Sequence, residues 1–293
     1  MPPEPPEVAL ALDVCSRALD LYGYTRPFHT HAHPFYVTAC KSSSFLGRED
    51  NIAVSFNGGK DCTVLLELYA IALERHHAKR NGGDPVSASS HINGRYTQRP
   101  IRSVYIFQPN PFPDVEQFIS DTVQRYGSLS TCIASSIPLL FFRYNLELTR
   151  IDESQIKQGL TKYLSDHPNI KAILVGTRRT DPHARMSFVL LLSSFCLFIR
   201  IAFSENLETF SQTDNGWPSF MRVNPIIDWN YVHVWRFLRD RHVPYCTIYN
   251  LGYTSLGSVF NTVPNPHLRR PDGSFAPAYE LVEDRFERAG RSK

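Results

Sequence analysis

Residues 52–62 read IAVSFNGGKDC, and the reading of this stretch decides the fold class. Ile52, Ala53 and Val54 have the apolar character of a short buried strand. Ser55 to Lys60 then bring small, flexible and polar residues ahead of an apolar-periodic segment, so the order is strand, phosphate loop, helix. Gly58 and Gly59 permit backbone angles and a close approach that a Cβ obstructs, and the unpaired amides at the helix start face an anion. Lys60 adds positive charge. Asp61 points to something more specific than a phosphate sink, because a carboxylate there repels bare phosphate unless a metal or a catalytic geometry uses it. The stretch is neither a GxxxxGK[ST] loop nor a GxGxxG dinucleotide loop. Its plain structural reading is a Gly-Gly turn between a core strand and a surface helix.

The rest of the chain repeats the same rhythm. A helix is expected over 8–22, with Leu12, Cys15, Leu19 and Tyr22 on one face. The helix after the phosphate loop carries Leu65, Leu68 and Ala72 inward and leaves Glu67, Glu74 and Arg75 nearer solvent. Residues 81–100 are polar, glycine-rich and proline-interrupted, and read as a loop. A strand is expected over 101–107, and a helix over 112–126 with Asp114 as its N-cap. The pattern then predicts a strand at 146–151, a helix over 155–164, a strand at 173–175, a helix from Val232 to Leu238 with Asp228 as its cap, and a terminal amphipathic helix over 278–288.

With 293 residues, 42% hydrophobic and 20% charged, the chain is long and apolar enough to bury a substantial core, which excludes wholesale disorder. A net charge of +3 without a basic block gives no expectation of nucleic-acid binding, although a few local cations suffice for a small anion. Six cysteines, at 15, 40, 62, 132, 196 and 246, form no CxxC pair or zinc-like cluster and read as reduced thiols. The start, MPPEPPE, has neither a secretion signal nor a basic amphipathic leader, so a cytoplasmic location is expected and this start reads as a short acidic extension. His29, His31 and His33 alternate, but packing is the preferred reading over metal ligation. The apolar run 186–199 is shorter than the ~20 residues of a bilayer-spanning helix, so no stable membrane insertion is expected.

Four further segments give the loop its context: GTRRTDP at 176–182, GWPSFMRVNPIIDW at 216–229, YNLGYTSLG at 249–257 and ERAGR at 287–291. Together with SFNGGKD these resemble the eukaryotic FAD synthetases of the sulfate-reductase-like family, over most of the chain. The resemblance implies a mostly parallel α/β sheet flanked by helices, adenine nucleotide alpha-hydrolase-like, formed by residues 1–293 as a single domain. It also implies a reaction in which FMN attacks ATP with magnesium present, giving FAD and pyrophosphate.

By the same resemblance Ser55, Phe56, Asn57, Gly58, Gly59 and Lys60 cradle phosphate, and Arg178 clamps it. Asp61 and Asp181 organise the metal, and Asn57, Asp61, Arg178 and Asp181 are the catalytic candidates. Trp217, Arg222, Tyr253, Thr254, Ser255, Leu256 and Gly257 border the nucleotide, and Arg285 and Arg288 approach the flavin. Two segments, near 127–143 and 185–205, depart from the family pattern: the first reads as a lid or packing segment or as translated intron sequence, the second as a buried helix, a membrane-contacting excursion, or an unremoved intron or gene-model error. The alternatives to the transferase are a nucleotide or flavin sensor without turnover and, less favoured, an adenylyl-sulfate reductase, which needs a redox cysteine arrangement that these scattered cysteines do not supply.

Overall fold

The computed structural model describes residues 3–23, 51–80, 100–107, 109–124, 146–153, 155–180 and 208–292. Six strands form one sheet: β1 (Ile52–Ser55), β2 (Ile101–Ile106), β3 (Leu146–Ile151), β4 (Ala172–Leu174), β5 (Phe210–Gln212) and β6 (Met221–Val223). Their spatial order is β3-β2-β1-β4-β6-β5, parallel throughout except that β5 runs antiparallel to β6. The helices are α1 (Pro6–Tyr22), α2 (Lys60–Arg80), α3 (Pro113–Gln124), α4 (Ile156–Asp166) and α5 (Tyr231–Asp240).

Alternation along β1 shows why the short run IAV lies at the centre. Ile52 and Val54 enter the larger apolar cluster with α1, α2 and α5, whereas Ala53 points to the other face with Val104, Ile173 and Tyr163 of α4. The strand is apolar on both faces because helices cover both.

The strand order also places the site. From β1 the chain runs outward through β2 and β3, then returns to the opposite side of β1 for β4. Connections leave β1 and β4 in opposite directions, and in such open sheets the crevice beyond the strands' carboxyl ends is where ligands bind. The loop after β1 and the turn after β4 meet at that crevice.

Several sequence expectations are corrected. Glu67 is fully buried, because α2 is packed against α1 and α5 and has no solvent face at that level. Asp114 lies within the first turn of α3, which begins at Pro113. The cap of α5 is Asn230, not Asp228: its side chain accepts from the His233 amide at 2.8 Å, and His233 Nδ1 accepts in return from the Asn230 amide. Asp228 instead pairs with Arg179 at 2.6 Å.

The expected terminal helix is two short 3₁₀ turns, Ala278–Glu280 and Asp284–Phe286, separated by extended chain at Leu281. The tail is held by side chains to other elements: Tyr231 Oη donates to the Ala278 carbonyl at 2.8 Å, and the Tyr231 amide donates to Asp284 at 3.0 Å. The acidic start packs against the sheet's helices: Glu4 accepts from Arg75 at 2.9 Å and Arg241 at 2.5 Å, and Trp229 donates to the Glu7 carbonyl at 3.2 Å. Strands β5 and β6, each three residues long, are not among the expected strands. The histidines at 29, 31 and 33, the loop beyond Arg80, the segment 127–143 and the apolar run 186–199 lie outside the described residues.

Candidate nucleotide site

The loop turns because Gly58 adopts φ +73°, a left-handed conformation that side chains disfavour, and a Cβ there would come within 2.9 Å of Ile119 and 3.2 Å of Val115 on α3. Asn57, exposed at the tip, accepts from the Gly59 amide at 3.0 Å. The Lys60 amide, first of α2, donates to Tyr249 Oη at 3.0 Å, and Thr63 closes the turn onto the Gly59 carbonyl at 2.9 Å. Two of the loop's amides are therefore already engaged by side chains.

Across the crevice the chain leaves β4 through Gly176, where a Cβ would stand 3.2 Å from Asp61 Cβ and 3.3 Å from its carbonyl carbon. That close approach brings Arg178 beside the start of α2. Arg178 Nε lies 3.0 Å from Asp61 Oδ1, and Lys60 Nζ lies 3.0 Å from Asp61 Oδ2. The tail supplies a fourth member, Glu287, which accepts from Arg178 Nη2 at 2.9 and 2.7 Å and also from Lys60 Nζ. Two cations and two carboxylates thus close a charge-balanced cluster drawn from the loop, the turn after β4 and the tail.

Burial makes the pairing obligatory. Arg178 and Lys60 keep 1% and 3% of their side chains exposed and Glu287 keeps 8%, whereas Asp61 keeps 21% and is the member that solvent reaches. Burial works against the Lys60 ammonium, but the Asp61 and Glu287 carboxylates together outweigh it and hold its pKa above the ordinary lysine range. Burial likewise opposes the Asp61 carboxylate, and the charges of Lys60 and Arg178 outweigh that and hold its pKa below the ordinary value. Burial pushes the Tyr249 hydroxyl well up and the Cys62 thiol up to about 12, so both stay protonated at neutral pH.

The GYTSLG segment anchors the tail. Thr254 Oγ1 donates to the Glu287 carbonyl at 2.6 Å, and Asn265 Nδ2 donates both to Thr254 Oγ1 at 2.8 Å and to the Phe286 carbonyl at 2.7 Å. Tyr253 stands edge-on to Phe112, with ring centroids 5.3 Å apart. Ser255 is half-buried, Leu256 packs against the main core, and the Arg291 guanidinium lies over Gly257.

The structure thus brings together Asn57, Gly58, Gly59, Lys60, Asp61, Arg178 and Thr254. Ser55 ends β1 half-buried, but the Phe56 side chain is wholly within the core, leaving only its backbone near the loop. Trp217 and Arg222 are not brought to the crevice. Trp217 is in the turn leading into the amino end of β6, opposite the carboxyl ends where the site lies; Arg222, within β6, donates to the Gln212 carbonyl at 3.0 Å and faces Asp214 at 3.7 Å. Arg285 is exposed and pairs with Glu283 at 2.5 Å, while Arg288 is half-buried. Asp181 lies outside the described residues. Glu287, Tyr249 and Asn265 were not among the sequence candidates; Glu287 and Tyr249 fall within segments that carry the family pattern, whereas Asn265 lies between the segments that end at Gly257 and begin at Glu287.

Comparison with known proteins fits this geometry. The family described as phosphoadenosine phosphosulfate reductase domain matches residues 51–191 and 202–264. The chain is 34% identical over 243 residues to a probable FAD synthase of Schizosaccharomyces pombe, covering 83% of this chain and 72% of the relative. It is 34% identical over 248 residues to a probable FAD synthase of Caenorhabditis briggsae, covering 83% of this chain but only 36% of that longer protein. The fold superposes on the crystal structure of Candida glabrata FMN adenylyltransferase in complex with FAD and inorganic pyrophosphate, with a TM-score of 0.65, 24% identity and coverage of 98% of this chain and 88% of the other. With the glycine loop after β1 and the turn after β4 meeting at the sheet's switch point, the chain belongs to the FAD synthase family, built on the phosphoadenosine phosphosulfate reductase domain.

Proposed function

We propose that the chain transfers the adenylyl group of ATP to FMN, forming FAD and pyrophosphate. The observation that carries this reading is the meeting of the SFNGGKD loop and Arg178 at the carboxyl ends of β1 and β4, in a chain 34% identical to a probable FAD synthase. An oxygen of the FMN phosphate attacks the α-phosphorus of ATP, a new P–O–P bridge forms, and the bond to the β-phosphate oxygen breaks. Each partner already carries its reacting group, so the protein's task is alignment and charge stabilisation.

The described residues divide that task. Asn57, exposed at the loop tip, and the backbone around Gly59 are the groups a phosphate meets first. Lys60 and Arg178 are almost fully buried and paired with Asp61 and Glu287, so in this reading they bring positive charge to the phosphates from inside the cluster while the carboxylates hold them in place. No protein nucleophile is required, and Cys62, whose pKa burial raises to about 12, is unsuited to be one.

Magnesium belongs to the proposal through Asp61 and Asp181. Among the described residues no group of three His, Cys, Asp or Glu side chains could hold a metal ion. A magnesium ion that keeps its waters and is held mainly by ATP phosphates needs few protein donors, and the partly exposed Asp61 suits that role. When bound, the ion supplies charge neutralisation on the phosphates. Among the described residues no helix is long and apolar enough to cross a membrane. A cytoplasmic location is part of this proposal, to be checked by fractionation.

The test is incubation of the purified, flavin-free chain with magnesium, FMN and ATP labelled in its α-phosphate. Label is expected in FAD, with unlabelled pyrophosphate released in equal amount. A folded chain that binds ATP or FAD yet releases no pyrophosphate would replace the transferase reading with that of a sensor.

A further inference from the structure

We propose that Glu287 is a positioning residue of the nucleotide site: through it the carboxyl-terminal tail holds the phosphate loop and the β4 turn in register. This rests on the proposed reaction only for the identity of the nucleotide. The geometry itself is independent of that reading.

Among the described residues of the tail Glu287 is the one seen to bond to the cluster, and it spans the two cations rather than pairing with one. Its Oε1 accepts from both Lys60 and Arg178, and its Oε2 takes a second bond from Arg178. Lys60 lies at the first position of α2, in the loop's own turn, and Arg178 follows β4 on the opposite side of the crevice. One carboxylate from the tail therefore joins the loop and the β4 turn. Asp61 also touches both cations, but it belongs to the same turn as Lys60 and cannot bring in a third segment.

The placement of Glu287 is over-determined. Its carbonyl accepts from Thr254, the carbonyl before it accepts from Asn265, and Asn265 also donates to Thr254, so the backbone bearing the carboxylate is held on both sides of the peptide. The next contacts along the tail continue the tie, with the Val263 amide donating to the Gly290 carbonyl at 2.8 Å and the Ser292 amide to the Asn261 carbonyl at 3.0 Å. A carboxylate used only to fill space does not require that backbone framework.

Without Glu287, two buried cations would share Asp61 alone. The uncompensated charge would push Lys60 or Arg178 outward, and Lys60 would take the loop's first helical turn with it. The loss should therefore appear in the handling of phosphate and spare the flavin ring.

The experiment compares the full chain with Glu287→Gln, which keeps size and removes charge, and Glu287→Asp, which keeps charge on a shorter arm. All are first checked for cooperative melting and assayed well below their melting temperatures. For Glu287→Gln, kcat/KM for ATP is expected to fall about 30-fold or more, with KM for FMN within about threefold of wild type. Glu287→Asp should recover about a tenfold share of that loss. Calorimetric titration with pyrophosphate alone should show binding to wild type that weakens at least about tenfold in Glu287→Gln, which tests the inference even if the chain proves not to make FAD.

A folded Glu287→Gln protein with wild-type constants for ATP and pyrophosphate would overturn the proposal and leave Glu287 a purely structural residue. Tighter pyrophosphate binding in Glu287→Gln would also overturn it, because Glu287 would then be competing with phosphate. Equal losses for ATP and FMN would count against a role confined to the phosphate loop.

Discussion

The two walls of the nucleotide site are built on opposite principles. The loop wall is regular: β1, a glycine turn and α2 follow one another within residues 52–80, and hydrogen bonds of strand and helix set the positions of Lys60 and Asp61. The tail wall, residues 276–291, has only 3₁₀ turns, and side-chain bonds from Tyr231, Thr254 and Asn265 to its backbone do the work that a helix ladder does elsewhere. Both deliver charge to one buried cluster. The difference teaches that an irregular segment can be as precisely placed as a regular one when its backbone carbonyls are taken by buried side chains.

The largest expected effect tests whether the cluster, and not the tail's charge in general, joins the walls. Arg178→Met strips Glu287 of one of its two partners and should destabilise the protein by about 3–5 kcal/mol in urea unfolding. Arg285→Met, on the same tail but mostly exposed, should change stability by less than about 1 kcal/mol. Equal effects of the two substitutions would erase the distinction between buried and surface charge.

A smaller effect tests the tail's framework alone. Thr254→Val removes a donor to the Glu287 carbonyl and an acceptor for Asn265, leaving buried polar groups unmatched, and should cost about 1–3 kcal/mol by the same measurement. Amide exchange should rise around residues 286–290 more than in β1, since the loop wall does not depend on this bond.

The smallest effect concerns pH. The Asp61 carboxyl is held below its ordinary value, so its contribution is fully present above an unfolded value of about pH 4 and is lost as pH falls through the lower folded value. Acid unfolding of Asp61→Asn should accordingly show a shallower dependence on pH below about pH 4 than wild type. An identical slope would mean that Asp61 gains nothing from Lys60 and Arg178.

The same contrast explains what could be read from the chain alone. Apolar runs at 52–54, 101–106 and 146–151 are local signals, and so is the glycine turn; each became the element expected of it. Arg178 and Asp61 could be nominated from their motifs, but not their pairing, which depends on Gly176 admitting α2 at close range. The amphipathic pattern over 278–288 predicts a helix, and the structure has two 3₁₀ turns there instead. The bonds that override it come from Tyr231, Thr254 and Asn265, dozens of positions away in two cases. Glu287 was passed over for its arginine neighbours because a carboxylate does not suggest phosphate until its cationic partners are seen. Trp217 and Arg222, nominated from a family-like segment, lie towards the opposite end of the strands from the crevice, a placement that their local sequence does not reveal.

The central claim is that loop, β4 turn and tail form one charge unit, and a double-mutant cycle on stability tests it most directly. Arg178→Met, Glu287→Met and the combined variant would be unfolded in urea at neutral pH alongside wild type. The double variant removes a cation and an anion together and leaves Lys60 with Asp61, so its loss should fall short of the summed single losses by about 2 kcal/mol. Additivity within about 0.5 kcal/mol would contradict the account, because the tail and the β4 turn would then be neighbours without being coupled.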